Sequence, residues 1–281
     1  MKLAFTKMHG CGNNYIYFNC FDQTVPDPEA LSVRLSEPHF GIGGDGVILI
    51  SPSDKADAQM RIFNADGSEG KMCGNGIRCV GKYLYDNGMV NGRTTVTVDT
   101  LSGVKTLRLA TENGKAVTAR VDMGAAILQP DLIPVALDGD RVIDAPLVVD
   151  EKVYHITCVS MGNPHCVIFS EEDIDSLDLT RIGPKFEHHP LFPERVNTEF
   201  VNVLKDGTLK MRVWERGSGE TWACGTGACA VGVAACLGGH AQKDSDITVH
   251  LRGGDLLIRY TDETVFMTGA ATTVFKGEIE L

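Results

Sequence analysis

The chain has 281 residues, 43% hydrophobic and 22% charged, enough to bury a core as one large domain or two of ordinary size. Its net charge of −11 is spread along the sequence, which favours solubility and argues against a nucleic-acid partner. No apolar stretch reaches the roughly 18–20 residues that span a bilayer, and "MKLAFTKMHG" lacks a secretory h-region, so a cytoplasmic protein with no membrane partner is expected. Nine cysteines, an odd set without even spacing, argue against a disulfide framework.

In chain order, "GVILI" and "QMRIF" are β-branched or alternating runs that predict strands, closed by the turn signal "ADGS". A helix is predicted from Gly74 to Asp86, stopped by Asn87-Gly88. Strands follow at "TTVTV", "VKTLRL" and "KAVTARV", punctuated by "DNG" and "ENG". The second half gives "CVIF" and "LKMRVW", a helix from Gly225 to Leu237 stopped by Gly238-Gly239, then "DITVHL", "DLLIRY" and "TVFMTG". That second helix, "GACAVGVAACL", is apolar all round and is therefore expected to be buried.

The order repeats because the sequence repeats. Residues 60–88 align without a gap on 211–239 at an offset of 151, with Met60/Met211, Arg61/Arg212, Glu69/Glu220, Cys73/Cys224, Gly74/Gly225 and Gly76/Gly227 among the identities. The register continues to Thr97/Thr248 and Gly103/Gly254, and one slot away Gly12-Asn13 falls opposite Gly162-Asn163. We expect an α/β (α+β) chain of two homologous, pseudo-twofold-related domains. One comprises residues 1–122 plus about 270–281 and the other 123–269, each a curled strand-rich sheet around a central helix, with the active site in the cleft between them.

Cys73 and Cys224 each precede a glycine and a helix start. A helix N-terminus leaves N–H groups unpaired and carries about half a positive charge, so it binds anions and favours a thiolate. A free thiol has a pKa of about 8.5, which a helix N-terminus can lower toward neutrality. One thiolate and one thiol on opposite sides of a carbon can take a proton from one face and return one to the other, inverting the centre. A substrate carboxylate held by the N–H groups after both cysteines would take up the charge of the carbanion.

The strings "MHGCGN", "FNADGSE", "MCGNGIRC", "VSMGNPH", "RVNTEFV", "ERGSGET" and "ACGTGACA" resemble the diaminopimelate epimerase family in order and spacing from Met8 to Gly269. The resemblance implies an isomerase interconverting LL- and meso-2,6-diaminopimelate, on the route to lysine and peptidoglycan precursors. It implies a small-molecule substrate, no pyridoxal phosphate or other cofactor, no metal, and a homodimer as the expected assembly. It places the catalytic thiols on Cys73 and Cys224, with His165 and Glu215 near them. The carboxylate cradle falls on Gly74-Asn75 and Gly225-Thr226, the substrate-binding asparagines on Asn13, Asn64, Asn163 and Asn197, and the distal amino-carboxylate end on Glu215-Arg216. Two departures stand out: Asn14 replaces a carboxylate common in the family, and Gly46 stands where relatives carry a larger polar side chain.

For Cys20, Cys79, Cys158, Cys166, Cys229 and Cys236 an inert thiol is the expectation; Cys11 is left open. The asparagines compete with turn roles, Asn64 before "ADG" most of all. Within enzymes the alternative is another cofactor-independent racemase, such as a proline or hydroxyproline racemase. Outside them it is a thiol-based metal or redox protein, for which C-x-x-C pairs are missing.

Overall fold

The computed structural model describes residues 2–281. Contacts cluster into two compact units, Met1–Asp122 with Thr268–Leu281, and Met123–Met267. The first runs β1 (Lys2–Gly10), β2 (Asn13–Asn19), α1 (Pro28–Ser36), β3 (Gly46–Ser51), β4 (Ala58–Asn64), β5 (Glu69–Gly70), α2 (Gly74–Asp86), β6 (Thr95–Thr100), β7 (Gly103–Glu112) and β8 (Lys115–Asp122). The C-terminal strand Thr272–Glu280 pairs antiparallel with β1. From β1 to β2 the pairing is antiparallel, from β2 to β3 parallel, from β3 to β4 antiparallel, from β4 to β6 parallel, and from β6 through β7 to β8 antiparallel.

Side chains on successive residues of a strand point to opposite faces, and β3 uses both. Val47 and Leu49 pack with Leu31 and Leu35 of α1, while the Cδ1 of Ile48 lies against Gly76 of α2. A strand covered on both faces has no polar alternation, which is why "GVILI" is apolar throughout. Helix α2 touches β1, β2, β6, β7 and β8, so the sheet of this unit curls around it. Even Arg78 on that helix is 0% exposed, and Lys82 is held by Asp86 at 2.8 Å.

The second unit runs β9 (Ala145–Val149), β10 (Lys152–Ser160), β11 (Pro164–Phe169), α3 (Leu179–Glu187), β12 (Asn197–Val203), β13 (Leu209–Glu215), β14 (Gly219–Thr221), α4 (Gly225–Leu237), β15 (Ile247–Leu251), β16 (Gly254–Tyr260) and the start of β17 (Val265–Ala270), whose residues from Thr268 on belong to the first unit. Short 3-10 turns sit at Pro130–Leu132 and Ile174–Ser176. From β10 to β16 the pairing repeats that of the first unit: antiparallel, parallel, antiparallel, parallel, antiparallel. Helix α4 touches β10, β11, β12, β15 and β16, and its residues from Gly227 to Ala235 are all buried. Strand β4 and helix α2 end on the residues that, 151 positions on, end β13 and α4.

Each unit also contains a second helix that the sequence patterns did not show. Helix α1 is nine residues long, too short for a clear apolar period, and its start is marked by Asp27, whose carboxylate accepts from Ala30 N. Helix α3 contains Pro184 in its interior, a residue that reads as a helix breaker. Packing overrides it: Ile182 and Phe186 join Ile168 and Phe200 in the core of the second unit. No helix among the described residues is long and apolar enough to cross a membrane.

Candidate active site

Cys73 and Cys224 occupy the N-cap positions of α2 and α4, both with extended backbone. The sulfur takes the place that a serine or aspartate oxygen ordinarily fills. Cys73 Sγ accepts from Gly76 N at 3.2 Å, and Cys224 Sγ from Gly227 N at 3.3 Å.

Around Cys73, Asn13 on β2 is the organising group. Its Oδ1 accepts from the Cys73 thiol and from Asn75 Nδ2, both at 3.3 Å, and its Nδ2 donates to Asp45 Oδ2 at 2.8 Å. The same Asp45 oxygen accepts from Asn14 N at 2.7 Å. A carboxylate thus stands beside Asn14, supplied by Asp45. The Arg78 guanidinium lies beneath, donating to Gly74 O, Asn75 Oδ1 and Cys11 Sγ. Asn64 is bonded to Ser68 Oγ at 3.1 Å and makes the turn contact that its sequence context suggests. Gly46 has φ +152°, and a Cβ there would meet Phe63 O at 2.1 Å, so this backbone leaves no room for a side chain.

Around Cys224 the groups are more numerous. Thr226 Oγ1 lies 3.5 Å from the sulfur, and Asn163 Nδ2 donates to that hydroxyl oxygen at 3.2 Å. Asn163 Oδ1 faces His165 Nε2 at 3.1 Å, and His165 Nδ1 faces Glu199 Oε1 at 2.7 Å. His165 and Glu199 are both 0% exposed. Glu215, half-buried, accepts from the Thr221 hydroxyl. Asn197 donates to Pro164 O at 2.7 Å and accepts from Arg216 N at 2.9 Å. The Arg216 side chain donates to Glu194 O.

Burial pushes the Cys73 thiol up from its ordinary value, against the N–H groups of Gly76 and Asn75 and the Arg78 charge, which favour the thiolate. Burial, then the carboxylates of Glu215 and Glu199, push Cys224 well above the ordinary range, against the Thr226 hydroxyl and Gly227 N–H. The N–H groups at the helix ends do favour each thiolate, as the sequence suggests, but burial outweighs them. Loss of water around a sulfur costs the anion more than one helix end returns. Burial also raises the Glu215 carboxyl.

His165, Glu199 and Cys224 offer nitrogen, oxygen and sulfur atoms within 4.8 Å of one another. The 2.7 Å contact between the first two is a proton-sharing distance, and a metal would have to displace that proton.

A family model described as diaminopimelate epimerase matches residues 5–129 and 157–274. The chain is 54% identical over 281 residues to the diaminopimelate epimerase of Acetivibrio thermocellus, covering 99% of each. It is 50% identical over 281 residues to that of Methanococcus maripaludis, covering 99% of this chain and 100% of the relative. This chain belongs to the diaminopimelate epimerase family. Among solved structures, a probable proline racemase from Agrobacterium radiobacter superposes with a TM-score of 0.75 at 16% identity, over 99% of this chain and 93% of that one. A phenazine biosynthesis protein of the PhzF family from Enterococcus faecalis does so with 0.73 at 14%, over 100% of both. At such identities the likeness is one of fold, and membership of the epimerase family separates this chain from the racemase alternative.

Three neighbours of the thiols escaped the sequence reading. Glu199 lies two residues beyond Asn197 on β12 and so shares its face of the strand. Arg78 lies four residues beyond Gly74, one helical turn up the same side of α2. Asp45 precedes Gly46 in a glycine-rich loop, and no periodicity points to it. Cys79, Cys158, Cys166 and Cys229 are buried and Cys20 and Cys236 half-buried. Cys11 sits in the turn between β1 and β2 at φ 53° and receives Arg78.

Proposed function

We propose that this family member interconverts LL- and meso-2,6-diaminopimelate in the cytoplasm, without an added cofactor, using Cys73 and Cys224 as its two acid–base groups. The observation that carries the reading is the matched pair of helix N-caps, each with its sulfur fixed by the N–H three residues on.

In this mechanism a thiolate takes the α-proton, forming an S–H bond as the C–H bond breaks. The electron pair left on carbon spreads into the α-carboxylate. The main-chain N–H groups of Gly74-Asn75 and Gly225-Thr226 receive that charge, where oriented donors are worth most. The second thiol then gives its proton to the opposite face and becomes the thiolate, so the reverse reaction starts from the other sulfur. Arg78 beside Cys73 favours a thiolate there, whereas Glu215 and Glu199 beside Cys224 disfavour one, which suits Cys73 to the part of first base. Asn13 and Asn163 anchor the substrate near the two sulfurs, with Asn64 and Asn197 further contacts. Arg216 has guanidinium donors beyond the one given to Glu194 O for a distal carboxylate, with Glu215 available to an amino group.

Incubation of each isomer in heavy water, with no cofactor added, is expected to place deuterium at the α-carbon as the isomers interconvert. Cys73→Ala and Cys224→Ala should each lower that rate by about 10²–10⁴-fold while the fold persists. Turnover of proline with none of diaminopimelate, or full activity in either variant, would overturn the assignment.

A further inference from the structure

Glu199 is a fully buried carboxylate, and its Oε2 has no hydrogen-bond partner. Burying such a group is costly unless its charge is matched. Its match is His165, 2.7 Å from Oε1. A carboxylate only accepts, so Nδ1 carries a proton. At the other side of the ring Nε2 faces Asn163 Oδ1 at 3.1 Å; in this amide orientation the oxygen accepts and Nε2 donates, which puts a proton on both ring nitrogens.

The polarity propagates outward. With Oδ1 turned to the imidazole, the Asn163 amide directs Nδ2 at Thr226 Oγ1. The hydroxyl oxygen there accepts, and its own hydrogen is left for another acceptor. Cys224 Sγ, at 3.5 Å, lies within reach of that hydrogen. Were the ring to carry a proton on Nδ1 alone, Nε2 would accept, the amide would turn over, and the Thr226 hydroxyl would point to Asn163 instead of the sulfur.

The geometry points to Glu199 as a positioning residue for Cys224: by accepting from His165 it fixes, through Asn163, the direction in which Thr226 donates, and so places a hydroxyl proton on the sulfur. This rests on the reading of Cys224 as one of the two bases. The groups around that sulfur are Thr226 and Gly227 N–H on α4, Glu215 on β13, Glu199 on β12 and His165 on β11. Cys166 on β11 lies opposite Cys158 on β10. Glu199 acts on the thiol in two opposed ways. Its charge alone disfavours a thiolate nearby, whereas the relay favours one, so the sign of the effect separates them.

The test follows alkylation by iodoacetamide, read separately at Cys224 and Cys73 by mass spectrometry as a function of pH. Glu199→Gln keeps the shape and still accepts from Nδ1 but removes the charge that holds the second ring proton. Its Cys224 midpoint should rise by about one unit, a roughly tenfold slower labelling below the midpoint, with Cys73 unmoved. Thr226→Val should give the same shift, and the double variant no more than either, since both remove one interaction. In turnover, kcat should fall more than KM rises. A lower or unchanged Cys224 midpoint in either single variant, or additive shifts, would overturn the relay. Labelling needs no turnover, so failure of deuterium exchange in the native enzyme would defeat the proposed reaction and leave this test standing.

Discussion

The two halves of the chain share a frame and differ in what surrounds the sulfur. The ion pair Arg61–Glu69 at 2.7 Å is repeated as Arg212–Glu220 at 2.9 Å, joining β4 to β5 and β13 to β14. Helices of equal length start behind a cysteine N-cap in both. Yet Arg78 of α2 corresponds to Cys229 of α4, Cys79 to Ala230, and Asn64-Ala65 to Glu215-Arg216. Cys73 has a cation beside it, while Cys224 has two carboxylates and a histidine. A duplicated scaffold fixes where each sulfur stands, and the substitutions laid over it decide how readily each gives up its proton.

The same substitution made in each half is the most severe probe of it. A Cβ on Gly227 would lie 2.7 Å from Glu199 Oε1 and 3.2 Å from Cys224 Sγ. That oxygen is held by His165 and cannot yield. Gly227→Ala is therefore expected to lower kcat by about 100-fold, the scale on which misplacement of reacting groups by about 1 Å acts. A Cβ on Gly76 would meet Ile48 Cδ1 at 2.7 Å, the end of a flexible side chain. A rotamer shift there costs on the order of 1 kcal/mol, so Gly76→Ala should lose less than about tenfold. Steady-state rates of the two variants check this, and equal losses would mean that the sulfurs are equally confined.

This difference in surroundings is also what the sequence concealed. The repeat, both central helices and their ends, and the cysteine N-caps were legible because they depend on local rules: glycine stops, turn dipeptides, an apolar run without a polar face. Helix α3 was not, since Pro184 speaks against a helix locally and only the packing of Ile182 and Phe186 answers it. Nor was the effect of burial on the thiols. A helix N-terminus can be read from "CGNG", but the loss of water around Cys73 and Cys224 depends on strands distant in sequence. Glu199 and Arg78 were within quoted motifs, yet a buried charge has no signature in a string until its partner is placed.

A smaller effect is expected from the cation in the first half. Arg78 lowers the cost of the Cys73 thiolate, so Arg78→Met should raise the pH at which Cys73 is alkylated. A one-unit rise would slow turnover about tenfold at any pH below the midpoint, because the thiolate fraction falls as pH falls. Arg78→Lys, which keeps the charge, should restore most of the midpoint. Cys224 labelling should not change in either variant. If the methionine and lysine variants shift Cys73 alike, Arg78 matters for packing rather than for charge.

The least effect on activity at neutral pH is expected at Cys79, where the first central helix holds a thiol and the second a methyl group. Burial raises the Cys79 thiol from 9.0 to about 11, and the residue is 0% exposed. The folded state thus keeps the neutral form after the unfolded chain has begun to ionise. Its contribution is complete below about pH 9 and is lost as pH rises to about 11, since the unfolded state then binds fewer protons. Two units correspond to about 3 kcal/mol. Cys79→Ala lacks this dependence: it should cost about 1 kcal/mol at neutral pH through the lost sulfur contacts, and that deficit should shrink or reverse as pH approaches 11. Denaturant unfolding of both proteins across this range, followed by a probe in the first unit, checks the sign. Parallel stability curves would show that Cys79 ionises as easily folded as unfolded, and that the thiol in the first helix is no more demanding than the methyl group in the second.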